Sequence, residues 1–70
     1  MDKIQKDVVK ACKREIDMAT FYIGFYQFKG TKLTTDEAKA TNALKIKQME
    51  DASKSNSEAL ELLNEYIKTL

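Results

Sequence analysis

An all-α fold, an antiparallel helical hairpin that assembles into a helical bundle, is what this 70-residue sequence predicts, and three observations carry that reading. There is no proline and there are only two glycines, so the residues that punctuate strands and tight turns are nearly absent. The apolar residues recur at steps of three and four, which is the period of one helix face. One clear break, Lys29-Gly30-Thr31-Lys32, divides the chain.

The first helix is expected over about residues 2–29. Ile4, Val8, Cys12, Ile16, Ala19, Ile23 and Tyr26 form its inward stripe, while Asp2, Lys3, Lys6, Asp7, Lys10, Lys13, Arg14 and Asp17 fall mostly off it. Gly30 suits the left-handed conformation that ends many helices, and Lys29 suits the negative end of the helix dipole. A turn over residues 30–33 follows.

Thr34 is the expected N-cap of the next helix, because Glu37 three residues later completes a capping box and Asp36 favours the positive dipole end. From there the pattern stays helical to about Thr69. Between Asp51 and Ser57 it is almost wholly polar, before Ala59, Leu60, Leu62, Leu63, Tyr66, Ile67 and Leu70 restore an apolar face. Ser55 with Glu58 forms a second possible capping box. Two arrangements are therefore open: one continuous helix, or two helices joined near residues 53–57.

Charge favours the antiparallel arrangement. Residues 1–14 carry five basic and two acidic side chains, and residues 50–70 carry two basic and five acidic ones, so a hairpin brings opposite charges together. Surface pairs are worth only about 0 to 1 kcal/mol each, which selects an orientation more than it supplies stability. A strand over Thr20–Phe28 competes locally, since Phe21, Ile23 and Phe25 alternate, but no second run exists to pair with it.

Composition closes off several functions. One cysteine without histidine makes neither a disulfide within the chain nor a zinc site, and Cys12 reads as a small buried hydrophobe. No cofactor or metal is expected. Two glycines build no phosphate-cradling loop, and Glu58, Glu61 and Glu65 read as a solvated row beside Lys54 and Lys68, so the chain is expected not to be an enzyme. No apolar run reaches the roughly 20 residues of a membrane span, and no targeting signal opens the sequence, which gives a cytoplasmic protein as the expectation. The whole chain, residues 1–70, reads as a single helical domain.

Five of the six aromatic residues, Phe21, Tyr22, Phe25, Tyr26 and Phe28, fall within eight positions. Tyr22 and Tyr26 continue the inward stripe, whereas Phe21, Phe25 and Phe28 form a second face well over 100° away. A helix apolar on two faces needs two partners. Phe21, Phe25, Phe28, Tyr26 and Tyr22 are therefore candidate protein-interface residues, with Tyr66, Leu62 and Leu63 packing across from the last helix. The bland alternative makes the phenylalanines ordinary core beneath a folded-back last segment.

Lys3, Lys6, Lys10, Lys13 and Arg14 form a basic strip, and a dimer doubling it is the candidate nucleic-acid contact. A net charge of only +1, and eleven lysines against a single arginine, disfavour that use. An apolar-ligand carrier lined by the aromatics is a third possibility.

Two resemblances touch this pattern. The run Ser57-Glu58-Ala59-Leu60-Glu61-Leu62-Leu63-Asn64-Glu65-Tyr66 resembles the signature helix of the small helical-hairpin aspartyl-phosphate phosphatases of spore-forming bacteria. It has Glu61 where that family has aspartate, and it lacks the family's short first helix, so no function is carried over. A hairpin of this length is also similar in architecture to the plasmid copy-number regulators that dimerise into four-helix bundles and bind RNA, a similarity that implies a dimer. The combined expectation is a small, non-enzymatic, self-associating regulator, inhibitor or adaptor with a protein partner and a phage or mobile-element origin.

Overall fold

The structure is a computed structural model that describes residues 2–70. It has two helices, α1 (Lys3–Gly30) and α2 (Asp36–Lys68), packed antiparallel and joined by residues 31–35, with no strand among the described residues. The hairpin expected from sequence is present. Its Cα extents of 53 × 16 × 11 Å describe a plate one helix thick.

Asp2 starts α1 with a capping box. Its side chain accepts from the Gln5 N–H at 2.8 Å, and the Gln5 Oε1 accepts from the Asp2 N–H at 3.1 Å, so two groups without partners inside the helix are satisfied at once. The other end departs from expectation. Gly30 keeps a right-handed helical conformation, and α1 closes instead by tighter bonds, with Thr31 N–H donating to Phe28 O at 3.1 Å and Lys32 N–H donating to Lys29 O at 2.9 Å. The Thr31 hydroxyl also donates to Phe28 O at 2.7 Å. With its carbonyls satisfied this way, the helix needs no left-handed residue.

Helix α2 begins one residue later than the capping-box pattern predicts. Thr35, not Thr34, is the N-cap, and its hydroxyl accepts from the Ala38 N–H at 3.1 Å. The capping box that Glu37 would complete with Thr34 is not used. Beginning at Thr35 puts Ala38 at the third helical position, which has no side-chain acceptor to complete a capping box. Continuity is also resolved, because α2 runs unbroken through residues 51–57 as a single helix of 33 residues. Without proline or glycine there, serines on a mostly exposed stretch do not interrupt it.

Along α1 the half-buried and buried positions are Gln5, Val9, Cys12, Ile16, Ala19, Ile23, Tyr26 and Gly30, and along α2 they include Asn42, Ile46, Met49, Ser53, Asn56, Leu60, Leu63 and Ile67. These alternate steps of four and three, the seam of an antiparallel coiled coil. One part of the expected stripe is corrected. Ile4 is 75% exposed and Val8 is 44% exposed, and Gln5 and Val9 take the inward places. Positions 4, 8, 12 and 16 are separated only by steps of four, each of which drifts about 40° around the helix, so they cannot all stay on a straight seam.

At the loop end the helices approach closely. The Asn42 Nδ2 donates to the Tyr26 carbonyl at 2.7 Å, and a Cβ built on Gly30 would lie 3.1 Å from that nitrogen. Gly30 is therefore there for close approach. Asn42 is 7% exposed, and its Oδ1 has no partner.

Candidate interaction surface

A single layer of two helices can enclose very little. Ala19 is the one buried hydrophobic residue among those described, at 3% exposure, while Ile4, Val8, Met18, Phe21, Tyr22, Phe25, Phe28, Leu44, Leu62, Tyr66 and Leu70 are all exposed. Where these side chains lie follows from counting outward from the seam. On α1, residues 4, 8, 11, 15, 18, 22 and 25 repeat the four-and-three spacing as a second stripe, about 100° from the first. It reads Ile, Val, Ala, Glu, Met, Tyr, Phe.

Helix α2 has a matching stripe. Ala52, Ala59 and Tyr66 are seven residues apart and share one azimuth, with Leu62 beside them. A shallow cleft of about 380 Å³ between the helices shows that the two stripes open on the same broad side, because Met18 and Tyr22 line it together with Ala52. In the antiparallel register set by Asn42 and Tyr26, Tyr66 comes level with Ile4 and Leu62 with Val8. This broad side is thus apolar where Ile4, Val8 and Ala11 meet Ala59, Leu62 and Tyr66, is crossed by Glu15 and Ser55, and toward the loop sets Met18, Tyr22 and Phe25 of α1 beside Gln48, Lys45 and Thr41 of α2.

The aromatic residues divide between three places. Tyr26 is half-buried in the seam, as its spacing predicts. Tyr22, read from sequence as part of the inward stripe, instead faces the apolar broad side with Phe25, since position 22 belongs to the second stripe. Phe21 and Phe28 stand on the outer edge of α1. The rings touch one another, with Phe21–Tyr22 centroids 5.8 Å apart, Phe25–Tyr26 5.4 Å and Tyr22–Tyr26 6.3 Å, so the cluster is ordered by its own packing. The Lys32 ammonium lies 5.4 Å from the Phe28 ring.

Across from the aromatics, Leu63 packs into the seam as expected, whereas Tyr66 and Leu62 stay exposed on the broad side. Their position was missed from sequence along with those of Ile4, Val8 and Met18. The second four-and-three spacing was the signal that could have found them.

The opposite broad side is polar. Lys3, Lys6, Lys10 and Lys13, at steps of three, four and three, share it and are exposed, with Lys47, Lys54, Glu50 and Glu61 on the same side of α2. The offset expected from the acidic last helix is only partial, because Asp51, Glu58 and Glu65 sit seven residues apart on the far edge of α2. Arg14 lies on the outer edge of α1, lining a surface groove with Lys10, Lys13, Asp17 and Phe21.

Among the described residues, no three Cys, Asp or Glu side chains come together to hold a metal ion, and Cys12 is half-buried in the seam. No helix is long and apolar enough to cross a membrane. No family model, curated protein or solved structure matches the chain. What the geometry defines is an extended helical hairpin with one apolar and one polar broad side.

Proposed function

We propose that this chain is a non-enzymatic protein-interaction module: hairpins self-associate through their exposed apolar surface, and the assembly engages a different protein as a regulator, inhibitor or adaptor. The observation that carries this reading is the imbalance, among the described residues, between one buried hydrophobic residue and eleven large exposed ones. Exposed apolar area of that extent is characteristic of a surface that meets a partner. Phe21, Phe25, Phe28, Tyr22 and Tyr66 are the residues assigned to contact, with Tyr26 supporting them from the seam.

Light scattering after size exclusion, on the wild type and on Phe25→Asp, tests it. The wild type is expected at a multiple of the 8.0 kDa chain mass, and the variant as a monomer or an unfolded chain. A wild type that is a folded monomer at every concentration would remove self-association from the reading.

A second reading, RNA binding by a dimer, draws support from the four lysines aligned on the polar side. Binding to generic RNA should then weaken steeply with salt, losing roughly one power of ten or more between low and physiological salt for several phosphate contacts. No retention of RNA at low salt would eliminate it.

A further inference from the structure

We infer that the apolar broad side, built from Ile4, Val8, Met18, Tyr22, Leu62 and Tyr66, is where a second copy of this chain docks, and that the phenylalanine edge of Phe21 and Phe28 lies outside that contact. The inference rests on the self-association proposed above and names the face that serves it.

Area selects the occupant. A compact monomer of 8.0 kDa exposes about 4,450 Å² by the usual scaling of surface with mass. This hairpin exposes 5654 Å², an excess of about 1,200 Å². A stable interface removes about 800 Å² from each partner. The excess is therefore of the size that one face-to-face pairing covers, and a plate 53 Å long and 16 Å wide offers a footprint of about 850 Å² on one side.

Area also separates the two apolar surfaces. Phe21 to Phe28 spans only about 10 Å of helix, on one edge, which falls far short of that footprint. Ile4 to Phe25 spans about 32 Å, and the broad side continues across onto α2. Its relief suits a like surface. Ala11 and Ala59 make a low stretch beside the bulky end at Ile4, Val8, Leu62 and Tyr66, Ala52 lies low beside Met18, and Glu15 stands between them. Two such sides in contact make a four-helix bundle whose core is what each hairpin lacks.

Sedimentation equilibrium of the full chain tests the face. The wild type and Phe28→Asp are expected at twice 8.0 kDa, and Leu62→Asp at 8.0 kDa. If instead Leu62→Asp stays dimeric and Phe28→Asp becomes monomeric, the copies meet at the edge, and this inference fails while self-association stands. A wild type that is monomeric and helical at all concentrations defeats both. Should Leu62→Asp lose its helical circular dichroism, photo-crosslinking decides without a disruptive charge. p-Benzoylphenylalanine in place of Tyr66 is expected to trap a chain-to-chain adduct, and in place of Asn64, on the polar side, to trap none. Adducts from Asn64 and not from Tyr66 overturn the assignment.

Discussion

Gly24 and Gly30 are the same residue type in the same helix, yet their surroundings give opposite expectations. A Cβ on Gly24 would meet nothing within 4 Å, and the position lies on the polar side. Gly24→Ala is expected to stabilise by about 1 kcal/mol through helix propensity alone, raising the thermal midpoint by about 4 to 8 °C without changing assembled mass. At Gly30 the new methyl would press on the Asn42 amide at 3.1 Å, the group that bonds Tyr26 at 2.7 Å. Weakening that bond offsets the propensity gain, so Gly30→Ala should be about 1 kcal/mol less stable than Gly24→Ala in thermal unfolding. Equal gains from the two substitutions would show that the helices do not approach as closely at the loop.

Asn42 is the other residue whose chemistry is set by position. It is the one buried polar residue among those described, with Nδ2 bonded and Oδ1 alone, and an orphaned buried acceptor costs about 1 to 3 kcal/mol. Asn42→Leu, which keeps the branched shape, is expected to raise the unfolding free energy by about 1 kcal/mol in denaturant titration. A single buried asparagine in a coiled coil also fixes register, so the same variant should populate additional assembled masses on sedimentation. A destabilised variant would show that the bond to Tyr26 outweighs the orphaned oxygen.

At the scale of the elements, the caps locate each helix start. Asp2→Ala removes the capping-box acceptor at α1 and should cost about 1 kcal/mol in thermal unfolding. Thr35→Ala should cost a similar amount at α2, whereas Thr34→Ala should be nearly silent. The opposite ranking would return the cap to Thr34. The sequence signals for the two helices were strong because neither proline nor glycine interrupts them and because one glycine-containing break stands between them. Register was harder to read. Cys12, Ile16, Ala19, Ile23 and Tyr26 already step by fours and threes, but Ile4 and Val8 are more hydrophobic than Gln5 and chemically equal to Val9, so hydrophobicity chose the wrong pair at the N-terminal end. Gly30 misled for a related reason, since the helix-ending role and the close-approach role call for the same residue.

For the whole molecule, the phenylalanines were legible as lying apart from the seam, and all three are exposed. Phe21 and Phe28 share the outer edge, but Phe25, read from sequence as part of the same face, does not. The broad side that contains Phe25 was not legible, because it joins residues from two helices, and only the antiparallel register brings Tyr66 level with Ile4. Electrostatics had the same limit. Counting charges on segments placed acids beside the basic strip, whereas the azimuths of Asp51, Glu58 and Glu65 carry them to the far edge. Paired through its apolar side, the molecule would turn Lys3, Lys6, Lys10 and Lys13 of both copies outward on opposite surfaces. Charge reversal at Lys6 and Lys13 is therefore expected to leave the dimer mass unchanged, and sedimentation of Lys6→Glu/Lys13→Glu checks this.

With Ala19 as the single enclosed apolar side chain among the described residues, one hairpin holds little that favours the folded over the open chain. Anything that binds only the folded form shifts that balance by mass action, and in the proposed dimer the binder is the chain itself. Abundance then governs survival. In that dimer, chains at low copy number would stand mostly open to proteases and above a threshold would shelter one another, so the steady-state level should rise more steeply than the rate of synthesis.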